Sequence, residues 1–468
     1  MKILNSKDYL TDDFPIVSKN NSSIEITNYQ NKIGFTIFKK ETSFSHNTFA
    51  KFFCKHVKVV LTANKSEFAL YNVKKGVYEL NCQHEISAII KFIMNQCEDL
   101  WTPAYERLAI EAIRRDILVS VDDFNNGDYI NLQDGILELS TYKLKPHSAD
   151  YYTTIKLPFS YKTNCETPIF NKYLDDICCG DEQLKILLQE IAGYCLCNST
   201  KAEKAFFLLG NGCNGKSVFA KLLQALVGNG NCSTTSLSAL NGTFGLASLV
   251  NSNINIAAEN STDKINSEIF KAIVSGDTVE VNRKYKEAIS VSLHTKLVFL
   301  FNSLPYNNDL SYGFFRKLII VPFNRTFTGS EIDVNLFEKL QTELSGIFHW
   351  AIKGLKRLRS NNYVFSECSA STNCLMTYKR TLNPVADFFD DTVYINCAAK
   401  VKKSEIFDYY IAFCTRNRIA TLSNKRFWDC FKSHIEDKKL SFVIKRINGY
   451  DYISGIAIKE EIKNLEIN

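Results

Sequence analysis

No two of the 15 cysteines in this chain are spaced CxxC, and that absence argues against zinc ribbons and thioredoxin-type redox sites. Their scatter, with Cys178 beside Cys179 and Cys195 one residue from Cys197, fits buried thiols in a reducing compartment. The seven histidines form neither HExxH nor His-x-His, which leaves metalloprotease and His-clamped nuclease chemistry without ligands. Proline is scarce, at 8 residues, and no apolar run approaches the ~18 residues of a membrane crossing. The first residues, MKILNSKDYLTDD, lack the long apolar stretch of a signal peptide. These absences predict a cytoplasmic protein with no membrane partner.

What is present is ordinary globular composition: 468 residues, 45% apolar and 23% charged. At roughly 150 residues per domain, about three domains are expected. Residues 1–125 read as an α+β module. Short apolar-aromatic runs such as GFTIF (34–38) and VKVVL (57–61) make its first 85 residues β-rich, and helical spacing follows from Ile89 to Ile117. Residues 126–200 alternate and turn as short strands do, then become helical near 169–178 and 182–196. A strand-turn-helix core occupies 201–360, with a helix around 333–359. The Ser/Asn/Cys-rich stretch SNNYVFSECSASTN opens a linker region over 361–399, and 400–468 forms a last domain.

The strongest local signal is AFFLLGNGCNGKSVFAKLLQALVG. Ala205 to Leu209 predict an apolar strand, Gly210, Asn211, Gly212, Cys213, Asn214 and Gly215 a flexible turn, and Lys216-Ser217 the start of an amphipathic helix. This satisfies GxxxxGK(S/T), the phosphate loop, in the context that motif requires. Backbone N–H groups can converge on phosphate only where glycines permit the tight path, and the helix N-terminus adds partial positive charge. Lys216 would reach the β- and γ-phosphates of ATP, and the Ser217 hydroxyl would be a Mg2+ ligand.

The same glycines also spell GxGxxG, the dinucleotide fingerprint. That site wants an acid about twenty residues later to hold a ribose, and from Lys204 to Ala258 there is no Asp or Glu at all. The missing acids favour ATP over NAD. The first acid after the loop, Glu259, ends the apolar run Asn255 to Glu259 and is the candidate to hold the Mg2+ shell and orient water. Asn302, directly after the apolar strand Leu297 to Phe301, is a candidate polar sensor. Arg316, in Gly313-Phe-Phe-Arg-Lys317, is placed as an arginine finger, a group worth ~10³ to 10⁵ in rate.

The segments GNGCNGKS, NINIAAEN, IVSGDTVEVNRKYKEAISVSLHTKLVFLFNSLP and GFFRKLIIVPFNRTF resemble the superfamily 3 DNA helicases. Within these, the similarity is to the phage, plasmid and poxvirus primase-helicase branch of the AAA+ ATPases. It extends over roughly residues 125–360. The resemblance implies a homo-hexameric ring that unwinds DNA 3′ to 5′ with ATP, and it gives Lys216, Ser217, Glu259, Asn302 and Arg316 the roles argued above. Asn260 stands where members often carry a second acid, which leaves open whether Asp263 contributes a carboxylate.

Thr278 to Val281 and Ala288 to Leu293 alternate around a basic turn, predicting a β-hairpin. In the family, a hairpin here follows the DNA backbone, so Lys284 and Lys286 would neutralise phosphates and Tyr285 would pack on sugar or base. The net charge of +6 is uneven: residues 400–450 hold twelve Lys and Arg against five Asp and Glu. There two helices, Ser404 to Cys414 and Asn424 to Ile435, and two strands, Ser441 to Ile447 and Tyr450 to Ile458, resemble a winged-helix domain. Lys425, Arg426 and Lys432 would lie on its recognition helix, with Lys445 and Arg446 on the wing.

The expected fold is therefore multidomain α/β: a central AAA+ P-loop ATPase core, an N-terminal α+β region and a C-terminal winged helix. The expected function is an ATP-dependent ring DNA helicase and replication initiator that opens the origin of a bacterial mobile genetic element. It would act on single- and double-stranded DNA, with host replication proteins or a separate primase as further partners. An ATP-switched DNA-binding regulator or partition protein without unwinding activity is the alternative, and a AAA+ remodeller of proteins a third reading.

Overall fold

The computed structural model describes residues 5–459 except 40, 63–66, 118, 122, 123, 164, 251, 260–264, 285, 439 and 441. The chain divides into two compact units, one built mainly from residues 1–165 and the other from most of the remainder.

The first unit contains helices α1 (Ser23–Lys32), α2 (His46–His56), α3 (Gln83–Met94) and α4 (Pro103–Asp116). A hairpin, β1 (Phe35–Phe38) and β2 (Glu41–Phe44), lies between the first two helices. Strands β3 (Val59–Thr62), β4 (Phe68–Asn72), β5 (Val77–Glu79) and β6 (Ser120–Val121) form a sheet in the order β5-β4-β3-β6. A meander of β7 (Tyr129–Leu132), β8 (Gly135–Glu138) and β9 (Lys143–Lys145) follows. The first 85 residues are therefore mixed α/β rather than β-rich. The hidden helices start at local caps: Ser22 and Glu25 form a reciprocal capping box on α1, and Ser45 caps α2. Phe49 and Phe53 of α2 and Ile86, Ile90 and Ile93 of α3, all fully buried, belong to one hydrophobic core.

The second unit opens with α5 (Pro168–Cys178) and α6 (Glu182–Cys195). Its centre is a five-stranded parallel sheet of β10 (Ala205–Leu209), β11 (Cys232–Ser233), β12 (Ile254–Glu259), β15 (Lys296–Phe301) and β16 (Leu318–Pro322). Their order across the sheet is β11-β12-β15-β10-β16. The three strands β15, β10 and β16 are near-continuous runs of buried apolar residues, as a sheet covered on both faces requires. Helices α7 (Lys216–Val227), α8 (Leu237–Leu240), α9 (Ser267–Ser275) and α10 (Tyr312–Phe315) connect them. An antiparallel hairpin, β13 (Thr278–Arg283) and β14 (Lys286–Ser292), is inserted between α9 and β15, with Val281 opposite Ile289 and Arg283 opposite Lys286.

The helix read over 333–359 is two helices, α11 (Leu336–Gln341) and α12 (Leu344–Ser360). Helix α12 lies tightly on α6: a Cβ on Gly354 would stand 2.1 Å from Gln189 O, and one on Gly193 2.4 Å from Leu355 N. Any larger residue at either position would separate the helices. The linker stretch also departs from its reading, because α13 (Ser369–Leu382) begins inside it.

Beyond α13 come α14 (Val385–Thr392), β17 (Val393–Lys402), α15 (Lys403–Asn417), α16 (Asn424–Asp437), β18 (Val443–Ile447) and β19 (Tyr450–Ile458). The C-terminal sheet has three strands, in the order β17-β19-β18, where two were expected. Val393 pairs with Ile458, so a segment read as linker supplies the third strand from 65 residues upstream. Phe388, Tyr410 and Phe427 form the aromatic centre of this region.

Candidate functional site

The glycine-rich loop leaves β10 between its two neighbouring strands. Gly210 N donates to Phe301 O (3.0 Å) after β15, and Phe323 N, past β16, donates to Leu209 O (2.7 Å). Gly212 and Gly215 have φ of +100° and +81°, which L-residues with a Cβ rarely adopt. A Cβ on Gly210 would stand 2.7 Å from Phe323 O, whereas one on Gly212 would meet nothing within 4 Å. The start of the loop is packed and its crest faces open space.

Three further contacts fix its path. Tyr173 of α5 donates its hydroxyl to Gly215 O (3.0 Å), Asn214 Nδ2 donates to Phe323 O (3.3 Å), and Phe327 N donates to Cys213 O (2.7 Å). The Tyr173 hydroxyl is fully enclosed, and burial pushes its pKa well up, so it remains a neutral donor.

Lys216 begins α7 and is only 6% exposed. Its ammonium donates to Gly210 O (2.7 Å), Phe301 O (2.7 Å) and Asn302 Oδ1 (3.1 Å). Among the described side chains, no carboxylate pairs with it. Burial lowers its pKa, because a desolvated ammonium surrounded only by neutral oxygens is under-compensated. A cation held in this way retains its capacity to bind an anion.

The other expected nucleotide residues fall at two ends of the sheet. Ser217 is exposed in the first turn of α7. Glu259 ends β12 level with Phe301, as does Leu209 of β10, so its backbone reaches the same edge as the loop. Its side chain and the whole of Asp263 lie outside the described residues. Asn302 follows β15 at that edge. Arg316 does not: it precedes β16, and Leu318 pairs with Ala205 at the beginning of β10. Within one chain, Arg316 thus sits about a strand's length from Lys216, and its guanidinium donates to Glu203 (3.1 Å).

The arginine on the loop side is Arg325, in the NRTF segment after β16. A cavity of about 810 Å³ adjoins the loop, lined by Tyr173 and Asp176 of α5, Lys216, Asn302, Arg325 and Phe327, among others. Arg325 bridges Asp176 (3.1 Å) and Glu331 (3.0 Å) and lies over the Phe327 ring. Sequence reasoning assigned none of these four residues. The available signal was the polar NRTF segment directly after an apolar strand, which marks a strand-end loop where sites concentrate.

The nucleic-acid candidates are dispersed. Lys284 is exposed at the hairpin turn, 6.0 Å from the Phe244 ring centroid. Tyr285 and the Lys286 side chain lie outside the described residues. On α16, Lys425 and Lys432 are exposed, but Asp429 and Glu436 share that face, and Lys432 pairs with Glu436 at 3.8 Å. Arg426 reaches along the surface to another segment of the unit, donating to Tyr306 Oη (3.2 Å) and Asn308 O (3.4 Å). Lys445 and Arg446 on β18 are exposed beside Val443 and Ile444, so this strand presents both charge and apolar surface. Among the described residues, no helix is long and apolar enough to cross a membrane.

Comparisons with known proteins find matches in both units. Residues 49–179 match the family described as D5 N terminal like, and residues 208–316 match a family of unknown function, DUF5906. A protein of Acanthamoeba polyphaga mimivirus named as a candidate helicase is 22% identical over 261 residues, 49% of this chain and 26% of its own length. The chain thus spans about a quarter of that relative. An uncharacterized mitochondrial protein of Marchantia polymorpha, ymf21, is 25% identical over 128 residues, which is 25% of this chain and 71% of ymf21. Among solved structures, two apo forms of the NrS-1 C terminal region superpose with TM-scores of 0.52 and 0.53. Each is 12% identical and covers 86% of this chain and 97% of its own. That likeness speaks to the fold: a multidomain α/β arrangement with a parallel sheet and flanking helices.

Proposed function

We propose that the chain is an ATP-driven DNA helicase of the replication-initiator type, working as a homo-hexameric superfamily 3 ring that unwinds DNA 3′ to 5′. The observation that carries this reading is Lys216, buried at the N-terminus of α7 and held by three neutral oxygens at the edge of a parallel sheet. Nucleotide phosphates fit this place. The loop crest is open at Gly212, α7 begins directly after the loop with Lys216 and Ser217 lining the cavity, and no described acid competes for the ammonium.

The chain's own groups divide the work. Lys216 would exchange its carbonyl partners for phosphate oxygens, and the loop N–H groups would hold the triphosphate in line. Phe327 offers an apolar face for a base, and Asp176, steadied by Arg325, an acceptor for ribose hydroxyls. Ser217 and Glu259 would hold Mg2+, which supplies charge neutralisation when bound. Glu259 would orient water, Asn302 would report the phosphate end, and Arg316 would act on the site of a neighbouring subunit.

For DNA, the hairpin residues Lys284, Tyr285 and Lys286 would track the backbone. The winged-helix reading of residues 385–458 rests on the order helix, strand, helix, helix, strand, strand, with Lys425, Lys432, Lys445 and Arg446 toward the duplex. The match to the D5-like family and the helicase-named relative support the helicase part of this reading, and action at the origin of a mobile element is proposed with it.

The decisive experiment is unwinding of a forked duplex by the wild type and Lys216→Ala, with mass measured with and without ATP and DNA. Strand separation and ring assembly by the wild type, with turnover lost in the variant, are the expected results. ATP-dependent DNA binding with no strand separation would replace this reading with the switched regulator.

A further inference from the structure

Glu203, one residue before the strand-leading Lys204, sits in the left-handed region at φ +48°. Its carboxylate accepts from Arg316 Nη2 (3.1 Å) and Lys317 Nζ (2.8 Å) through a single oxygen, Oε2. The two donors differ sharply in exposure. The Lys317 side chain is 4% exposed and is also fixed by Ser275 Oγ (2.5 Å), whereas the Arg316 side chain is half exposed. Lys204 donates to the Arg316 carbonyl, which fixes the backbone on which the guanidinium stands.

A buried lysine thus anchors a carboxylate, and the carboxylate steadies an exposed arginine. The hydrogen bond from Lys317 holds the Glu203 carboxyl below the usual carboxylate range, so it is ionised at neutral pH. Three cations here, Lys204, Arg316 and Lys317, face one acid. The cluster keeps an excess of positive charge at the edge of the sheet opposite the glycine-rich loop.

We infer that Glu203 is a positioning residue that presents Arg316 to the phosphate site of a neighbouring copy of this chain. This rests on the proposed inter-subunit role of Arg316 and assigns it a support that no motif marks. Glu203 touches no reacting atom. It sets the direction of a guanidinium whose misplacement by about 1 Å would cost up to about a hundredfold in rate.

The test is complementation in mixed rings of full-length chains. Each competent interface needs a loop from one subunit and a finger from the next, so Lys216→Ala mixed with Arg316→Ala should regain DNA-stimulated ATP hydrolysis that neither has alone. If that mixture stays inactive, the inter-subunit reading fails and this inference with it. Given recovery, Glu203→Gln alone should bind ATP normally and hydrolyse it about tenfold to a hundredfold more slowly. Mixed with Lys216→Ala it should recover, because its loop is intact. Mixed with Arg316→Ala it should gain nothing, because both partners lack a working finger. Recovery with Arg316→Ala would show that the Glu203→Gln finger works, and would overturn the inference. Failure to recover with Lys216→Ala would assign Glu203 to its own subunit's fold or loop, and would overturn it equally.

Discussion

Lys216 Nζ and Asn302 Oδ1 lie 3.1 Å apart at the edge where β10 and β15 end side by side. The two residues are 86 positions apart in sequence, and the parallel register of Phe207 with Phe299 and Leu209 with Phe301 brings them together. Sheet pairing, rather than local sequence, builds the contact between a cation and an amide that would both address one phosphate.

Lys216→Ala is expected to abolish ATP turnover while leaving DNA binding by the C-terminal region in place. Gly210 O loses its lysine donor, at about 1–3 kcal/mol where water cannot replace it, while Phe301 O keeps the N–H of Gly210. A lower melting temperature should accompany the loss. In the wild type, burial lowers the lysine pKa, so ATP affinity should weaken on the alkaline side at a lower pH than a surface lysine would dictate. Turnover assays, calorimetric melting and ATP titrations across pH check the three statements. Full turnover in the variant would remove the lysine from the chemistry.

Asn302→Ala is expected to spare ATP binding within a few-fold and to lower kcat by roughly 10² to 10³, the scale for removing one positioned polar partner of a transition state. Lys216 keeps its two carbonyl partners in this variant, so the fold should be unaffected. Steady-state kinetics set beside equilibrium ATP binding separate the two effects. A rise in KM with kcat unchanged would make Asn302 a simple binding residue.

Phe327→Ala is expected to weaken ATP by about tenfold and to leave inorganic tripolyphosphate unaffected. The ring lines the cavity and stacks under Arg325, and the hydrogen bond to Cys213 O in the loop comes from the backbone N–H, which the substitution retains. Titration of both ligands is the measurement. Parallel losses would show that the ring supports the loop rather than a base.

How far the sequence disclosed this architecture depended on where each element's partners lie. The strand, loop and helix of residues 205–227 are contiguous, and strands β13 and β14 pair with near neighbours in sequence, so both were legible. Strand β17 was not: it pairs with residues 50 or more positions away, and its burial does not alternate cleanly. Helix α13 buries only Tyr378 and Leu382, too few for a helical period to stand out from the Ser/Thr/Asn around them. The site followed the same logic. Lys216 belongs to a motif, while Arg325, Asp176 and Phe327 meet only through folding.

Arg426 gives the sharpest contrast between sequence and structure in the C-terminal region. Counted as a basic residue of a DNA-reading helix, it instead ties α16 to residues 306 and 308, in the segment that leaves Asn302. Ser433 on the same helix donates to Leu310 O (2.8 Å), and Tyr378 of α13 to Pro305 O (2.7 Å), so three side chains from beyond residue 368 grip that segment. Lys425 and Lys432 remain exposed. Arg426→Ala should therefore leave the salt dependence of DNA binding unchanged but reduce the stimulation of ATP hydrolysis by DNA. The double variant Lys425→Ala/Lys432→Ala should do the opposite, lowering the slope of log K against log salt by about 2, near 0.9 per lost duplex phosphate contact. Binding measured at several salt concentrations, together with ATPase assays with and without DNA, distinguishes them. A slope reduced by about 1 in Arg426→Ala, with stimulation intact, would return this arginine to the DNA and leave the grip on the segment after Asn302 as packing alone.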